Sequence, residues 1–139
     1  MRYLKLFSVF SLALAFAMML AILPSRLCFK GGESYTFFVG DSSKNCREVT
    51  VTNNAALKRL TLSEVCGEST LYTSLDIEEF LKSVEGLIIF TEELSDSVNY
   101  YCRARLPYSV TLYGEEINLH ICVREDGVKV ASPIIFGGY

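Results

Sequence analysis

His120, the single histidine of the chain, stands two residues before Cys122. A thiol and an imidazole are the parts of a cysteine nucleophile and its general base. That pair needs contact of about 3 Å and a third group to orient the ring. On one strand, side chains at i and i+2 share a face but sit ~6.5–7 Å apart. A small thiol or hydrolytic enzyme using His120 and Cys122 is therefore the second reading, and no catalytic residue is assigned. Tyr101, Arg103 and Arg105 alternate nearby. With His120 they are expected to share one outward sheet face, the one basic spot on an acidic body. Arginine forks suit phosphate or carboxylate, and Tyr with Arg is the usual composition of binding hot spots. The plainer fate of these arginines is cross-strand pairing with Glu92, Glu116 or Glu125.

Other constellations carry less chemistry. Glu78-Glu79, Glu92-Glu93 and Glu115-Glu116 are adjacent in sequence. Neighbours on a strand or helix diverge, so none forms a glycosidase-type acid/base pair. No Gly-rich phosphate loop, GxSxG or HExxH is present, and no cofactor is implied. The five cysteines, Cys28, Cys46, Cys66, Cys102 and Cys122, lack CxxC or Cys/His zinc spacing, so no metal site is read. In an exported domain disulfides are the default. The four body cysteines allow three pairings; Cys102 is expected to face the core and Cys122 outward, which disfavours joining those two directly, and Cys46 with Cys66 is the favoured pair. Structural thiols are the alternative. Arg26 and Leu27 before Cys28 argue against a lipid-modified cysteine.

These residues need elements to position them. Leu75–Val84 carries Ile77, Phe80, Leu81 and Val84 at helical spacing, with Ser74 as a natural N-cap and Gly86 as the closing residue. Strands are expected over Leu87–Glu92 (buried on both faces), Ser97–Leu106, Ser109–Tyr113, Glu116–Arg124 and Val128–Phe136. In Glu116–Arg124, Ile117, Leu119, Ile121 and Val123 face the core, while Asn118, His120, Cys122 and Arg124 face outward. Asp126-Gly127 is a hairpin turn. Cys46–Thr52 is a fair strand, Tyr35–Val39 a weak one, and Ala55–Cys66 reads equally as helix or strand. Short turns make successive strands antiparallel. The fold class is thus α+β: one main helix on a four- to five-stranded antiparallel meander.

Up to Phe29 there are three Lys/Arg and no acids; beyond it ten Lys/Arg face sixteen Asp/Glu. That acidic body argues against nucleic acid as a partner. Arg2 and Lys5 precede Leu6–Leu23, eighteen uncharged residues. As a helix they would span ~27 Å, so the segment is read as a transmembrane signal-anchor or a signal peptide cut near Ser25. The organisation is then residues 1–28 for export or anchoring, 29–45 as a linker and 46–139 as an extracytoplasmic domain. A membrane would be met through residues 6–23.

The last third holds Asn99-Tyr100-Tyr101-Cys102, Leu106-Pro107-Tyr108, Ile117-Asn118-Leu119-His120 and the ending Ser132-Pro133-Ile134-Ile135-Phe136-Gly137-Gly138-Tyr139. Over roughly residues 66–139 this resembles small exported proteins of Gram-positive bacteria grouped as YwmB-like. Their label of TATA-box-binding-like implies a helix laid on a curved sheet, not a DNA partner. The resemblance brings no catalytic motif. The function expected is noncatalytic: an exported or anchored module that binds a protein or cell-envelope ligand through Tyr101, Arg103, Arg105 and His120.

Overall fold

The computed structural model describes residues 2–22, 26–41 and 45–136. In chain order the elements are α1 (Arg2–Ile22), β1 (Ser34–Val39), β2 (Arg47–Val51), α2 (Ala55–Thr61), β3 (Val65–Tyr72), α3 (Ile77–Ser83), β4 (Leu87–Glu93), β5 (Val98–Arg103), β6 (Val110–Leu112), β7 (Glu115–Ile117), β8 (Leu119–Arg124) and β9 (Gly127–Ser132). Seven strands form one antiparallel sheet in the order β2-β1-β3-β9-β8-β5-β4, and β6 pairs with β7 apart from it. This corrects the expected α+β fold. The structure is mostly sheet, and the sheet is larger than the four- to five-stranded meander. The added strands are β1, β2 and β3. The residues read as a linker contain β1 and the buried Phe29.

The strand that joins the two halves is β3, which pairs with β1 on one side and β9 on the other. Its sequence, Val-Cys-Gly-Glu-Ser-Thr-Leu-Tyr, lacks an apolar alternation, yet Glu68, Ser69 and Thr70 are buried. The Glu68 carboxylate accepts the backbone N–H groups of Cys28 at 3.1 Å and Phe29 at 3.4 Å. It thereby ties the segment following α1 to the sheet.

One sheet face carries the main core: Phe37, Tyr72, Leu119, Ile121 and Val130, with Phe29 beneath α3. The α3 stripe of Ile77, Phe80, Leu81 and Val84 packs there, with Phe80 6.1 Å from Phe29 and 6.3 Å from Tyr72 by ring centroid. Asp76, not Ser74, caps α3, its side chain accepting Glu79 N–H at 3.0 Å. Glu85 takes the left-handed position after the helix (φ 52°), and Gly86 N–H closes on Leu81 C=O at 2.7 Å. Two strand expectations also change. β4 is an edge strand with Leu87 and Ile88 exposed, not buried on both faces. The single strand expected over Glu116–Arg124 divides into β7 and β8 at Asn118, whose amide bonds Ala104 through both N–H and C=O.

The N-terminal helix forms, but among the described residues no helix is long and apolar enough to cross a membrane. The expected transmembrane segment is corrected on that finding. Inside α1 the uncharged stretch Leu6–Ile22 has seventeen residues, a rise of ~25 Å against a ~30 Å hydrocarbon core. Residues 23–25, where cleavage was expected, lie outside the described residues.

Candidate functional site

The face opposite α3 presents its side chains in cross-strand rows. Register places Thr50, Thr36, Ser69, Ala131, His120, Tyr101 and Phe90 side by side over all seven strands. The adjoining row runs Ser34, Leu71, Lys129, Cys122, Asn99 and Glu92. Hydroxyls occupy the β1–β3 end and aromatic rings the β4–β5 end. Between them the small Ala131 leaves room for the chain beyond β9, which turns at a cis Ser132-Pro133 bond and crosses the face. Ile135 packs on Cys122 and Ala131, and Phe136 stands edge-on to Phe38 at 4.8 Å. The strand expected over Val128–Phe136 therefore ends at Ser132.

This covering segment changes the role of His120. The ring was expected to face outward, and alternation does send it to this face, but it is 1% exposed. Ile135 N–H donates to Nδ1 at 3.2 Å. An accepting Nδ1 leaves the proton on Nε2, which donates to Asn99 Oδ1 at 3.1 Å. Both ring nitrogens are thus engaged. Burial, assisted by the positive Lys129, lowers the imidazole pKa to about 4. Cys122 is also buried, and burial raises its thiol pKa although Arg124 and Ser97 partly oppose that. A nucleophilic thiol needs the reverse shift.

Above His120 lies a ladder of rings. Tyr101 stacks on His120 at 4.4 Å and 15°, and Phe90 stacks on Tyr101 at 4.5 Å and 20°. Tyr113, in the β6–β7 turn with φ 52°, stands edge-on to Phe90 at 5.7 Å and is 93% exposed. These rings, with Glu92, Leu112 and Ile134, line a cavity of about 220 Å³. Glu92 accepts the Tyr101 hydroxyl at 3.3 Å.

Of the four residues expected to share one face, Tyr101 and His120 meet directly. Arg103 follows two positions along β5 and pairs with Glu115 at 3.3 Å, both half exposed. Arg105 lies past β5, beside α3, where its N–H donates to Val84 C=O and its guanidinium meets Glu85 at 3.4 Å in open solvent. The arginines do find carboxylates, but Glu115 and Glu85 replace the glutamates expected. Cys46 and Cys66 remain thiols and no disulfide joins them. Cys66 Sγ donates to Phe38 C=O at 3.3 Å, and burial followed by the nearby Cys46 raises its pKa. Among the described residues no group of three or more His, Cys, Asp or Glu could hold a metal ion. Phe90, Glu92, Asn99 and Tyr113 were missed as site residues. The alternation of Phe90 and Glu92 along β4 was the available signal for two of them.

No family model, curated protein or solved structure matches this chain, so the resemblance to YwmB-like proteins rests on the residues quoted for it.

Proposed function

We propose that this chain is a noncatalytic binding module, exported by its N-terminal segment, that holds a cationic group of a protein partner in the Phe90/Tyr101/Tyr113 cavity. The carrying observation is the stacked ring ladder opening beside the Glu92 carboxylate. Aromatic faces attract ammonium and guanidinium groups, and a carboxylate adds a charge-assisted hydrogen bond. The nearest cation along β5, Arg103, is already paired with Glu115. The engaged, low-pKa His120 and the protonated Cys122 support binding over thiol chemistry.

Titration of the full chain with N-acetyl-arginine amide and N-acetyl-lysine amide, followed by NMR of the tyrosine rings, tests this. The expected result is saturable shifts at Tyr101 and Tyr113, weakened roughly tenfold by Glu92→Gln, as loss of a charge-assisted bond implies. Tyr113→Ala should abolish them without loss of stability, because that ring is almost fully exposed. Equal shifts with N-acetyl-glutamate amide, or none with the cations, would reject the reading.

A further inference from the structure

We propose that the hydroxyl end of the same face holds a second site, independent of the aromatic cavity, for a phosphate-type oxyanion. There a cavity of about 250 Å³ is lined by Ser34, Thr36, Ser69, Cys122, Arg124 and Lys129, and by Asp126 of the β8–β9 turn. The register explains the gathering. Thr36 stands opposite Ser69, Ser34 opposite Leu71, and Leu71 and Cys122 flank Lys129.

Ser69 is the observation that points to a ligand. It is 1% exposed, and its Oγ has no hydrogen-bond partner among the described residues. A buried hydroxyl left unmatched costs stability, and native structures ordinarily match such groups with protein, water or a ligand. The nearby hydroxyl of Thr36 is taken up by Thr50 at 2.9 Å, so the row itself does not supply the acceptor.

Charge decides the kind of ligand. Arg124 is held by Asp96 at 3.5 Å. No carboxylate lies within ion-pair distance of Lys129 among the described residues, and Lys129 already acts electrostatically on His120 across the row. A half-buried lysine lining the same cavity as an unmatched hydroxyl donor recognises an acceptor-rich anion. An oxyanion offers several lone pairs to one O–H and one N–H₃⁺ at once. Cationic or purely apolar ligands would leave both donors unmet.

The test is titration of the full chain with inorganic phosphate and, separately, with dimethyl phosphate, at constant ionic strength set with chloride. Amide shifts of Ser69, Cys122 and Lys129 are the readout. The expected result is saturable shifts with at least one of the two. Tighter binding of the first assigns free phosphate as the source, and of the second a phosphodiester of an envelope polymer or lipid headgroup. Lys129→Gln and Ser69→Ala should each weaken binding at least fivefold, while the exposed Lys58→Gln leaves it unchanged. Ser69→Ala should melt no lower than the parent without phosphate, since only an unmatched hydroxyl is lost. Shifts that never saturate with either anion, or that survive either site substitution, overturn the proposal.

Discussion

His120 concentrates what a single residue could and could not reveal. Its alternation with Ile121 was readable, and the side of β8 it occupies follows from that. Its burial was not readable, because the cover comes from Ile135, fifteen residues on and past a chain reversal. The same non-local cover turned a candidate base into a structural ring. A pH signature follows. The folded imidazole has a pKa of about 4 against an ordinary 6.5. Above pH 6.5 both folded and unfolded chains hold it neutral, and its contribution is complete. Between 6.5 and about 4 the unfolded chain takes up the proton first, so stability falls with pH, by about 3 kcal/mol at most. Glu68 acts in the opposite sense, since burial raises its pKa and favours the folded state as pH drops. The comparison must therefore be between parent and His120→Gln. Urea midpoints of the parent should fall more steeply over pH 6.5–4, and parallel curves for the two proteins would contradict the buried neutral ring.

At the level of elements, legibility tracked how local the cause was. The α3 stripe is apolar at i, i+3, i+4 and i+7, and it buries as that spacing requires. The alternations of β5 and β8 likewise located those strands. β3 escaped because Glu68, Ser69 and Thr70 occupy positions where a central strand normally shows Val or Ile. The burial of Glu68 and Thr70 is compensated by partners outside the strand: Cys28 and Phe29 for Glu68, and the Ser34 carbonyl for Thr70 at 2.8 Å. Sequence periodicity carries no trace of such partners. Glu68 thus acts as the tether of the incoming chain, and Glu68→Ala should leave the part-buried Cys28 N–H and the buried Phe29 N–H unmatched. The expected cost is about 2–4 kcal/mol. Amide exchange at Cys28 and Phe29 should accelerate more than exchange in β8. Uniform acceleration through the sheet would mean that Glu68 stabilises the fold without specifically holding this segment.

For the whole molecule, the C-terminal chain decides what the sheet can offer. Ile134-Ile135-Phe136 was expected to close the last strand, and Ile135 is buried, but it lies across the strands and does not extend β9. A proline after Ser132 ends the ladder, since it cannot donate to it, and the chain then covers the strip around Ala131. That placement separates the hydroxyl cavity from the aromatic one and donates the Ile135 N–H that fixes the His120 tautomer. Deleting residues 133–139 should therefore do two things. It removes burial worth ~1.5–3 kcal/mol for Ile135 and the smaller share of the half-buried Phe136, a large part of the stability of a domain this size. It also frees Nδ1 of His120 and admits water, so the imidazole pKa, followed by NMR of its ring protons, should climb from about 4 toward 6.5. Ile135→Ala separates the two effects: it cuts burial but keeps the backbone N–H, so stability should drop while the ring remains titratable only near its low value. A truncated chain that melts with the parent, or that keeps the low pKa, would mean that the sheet face is closed by something other than this segment.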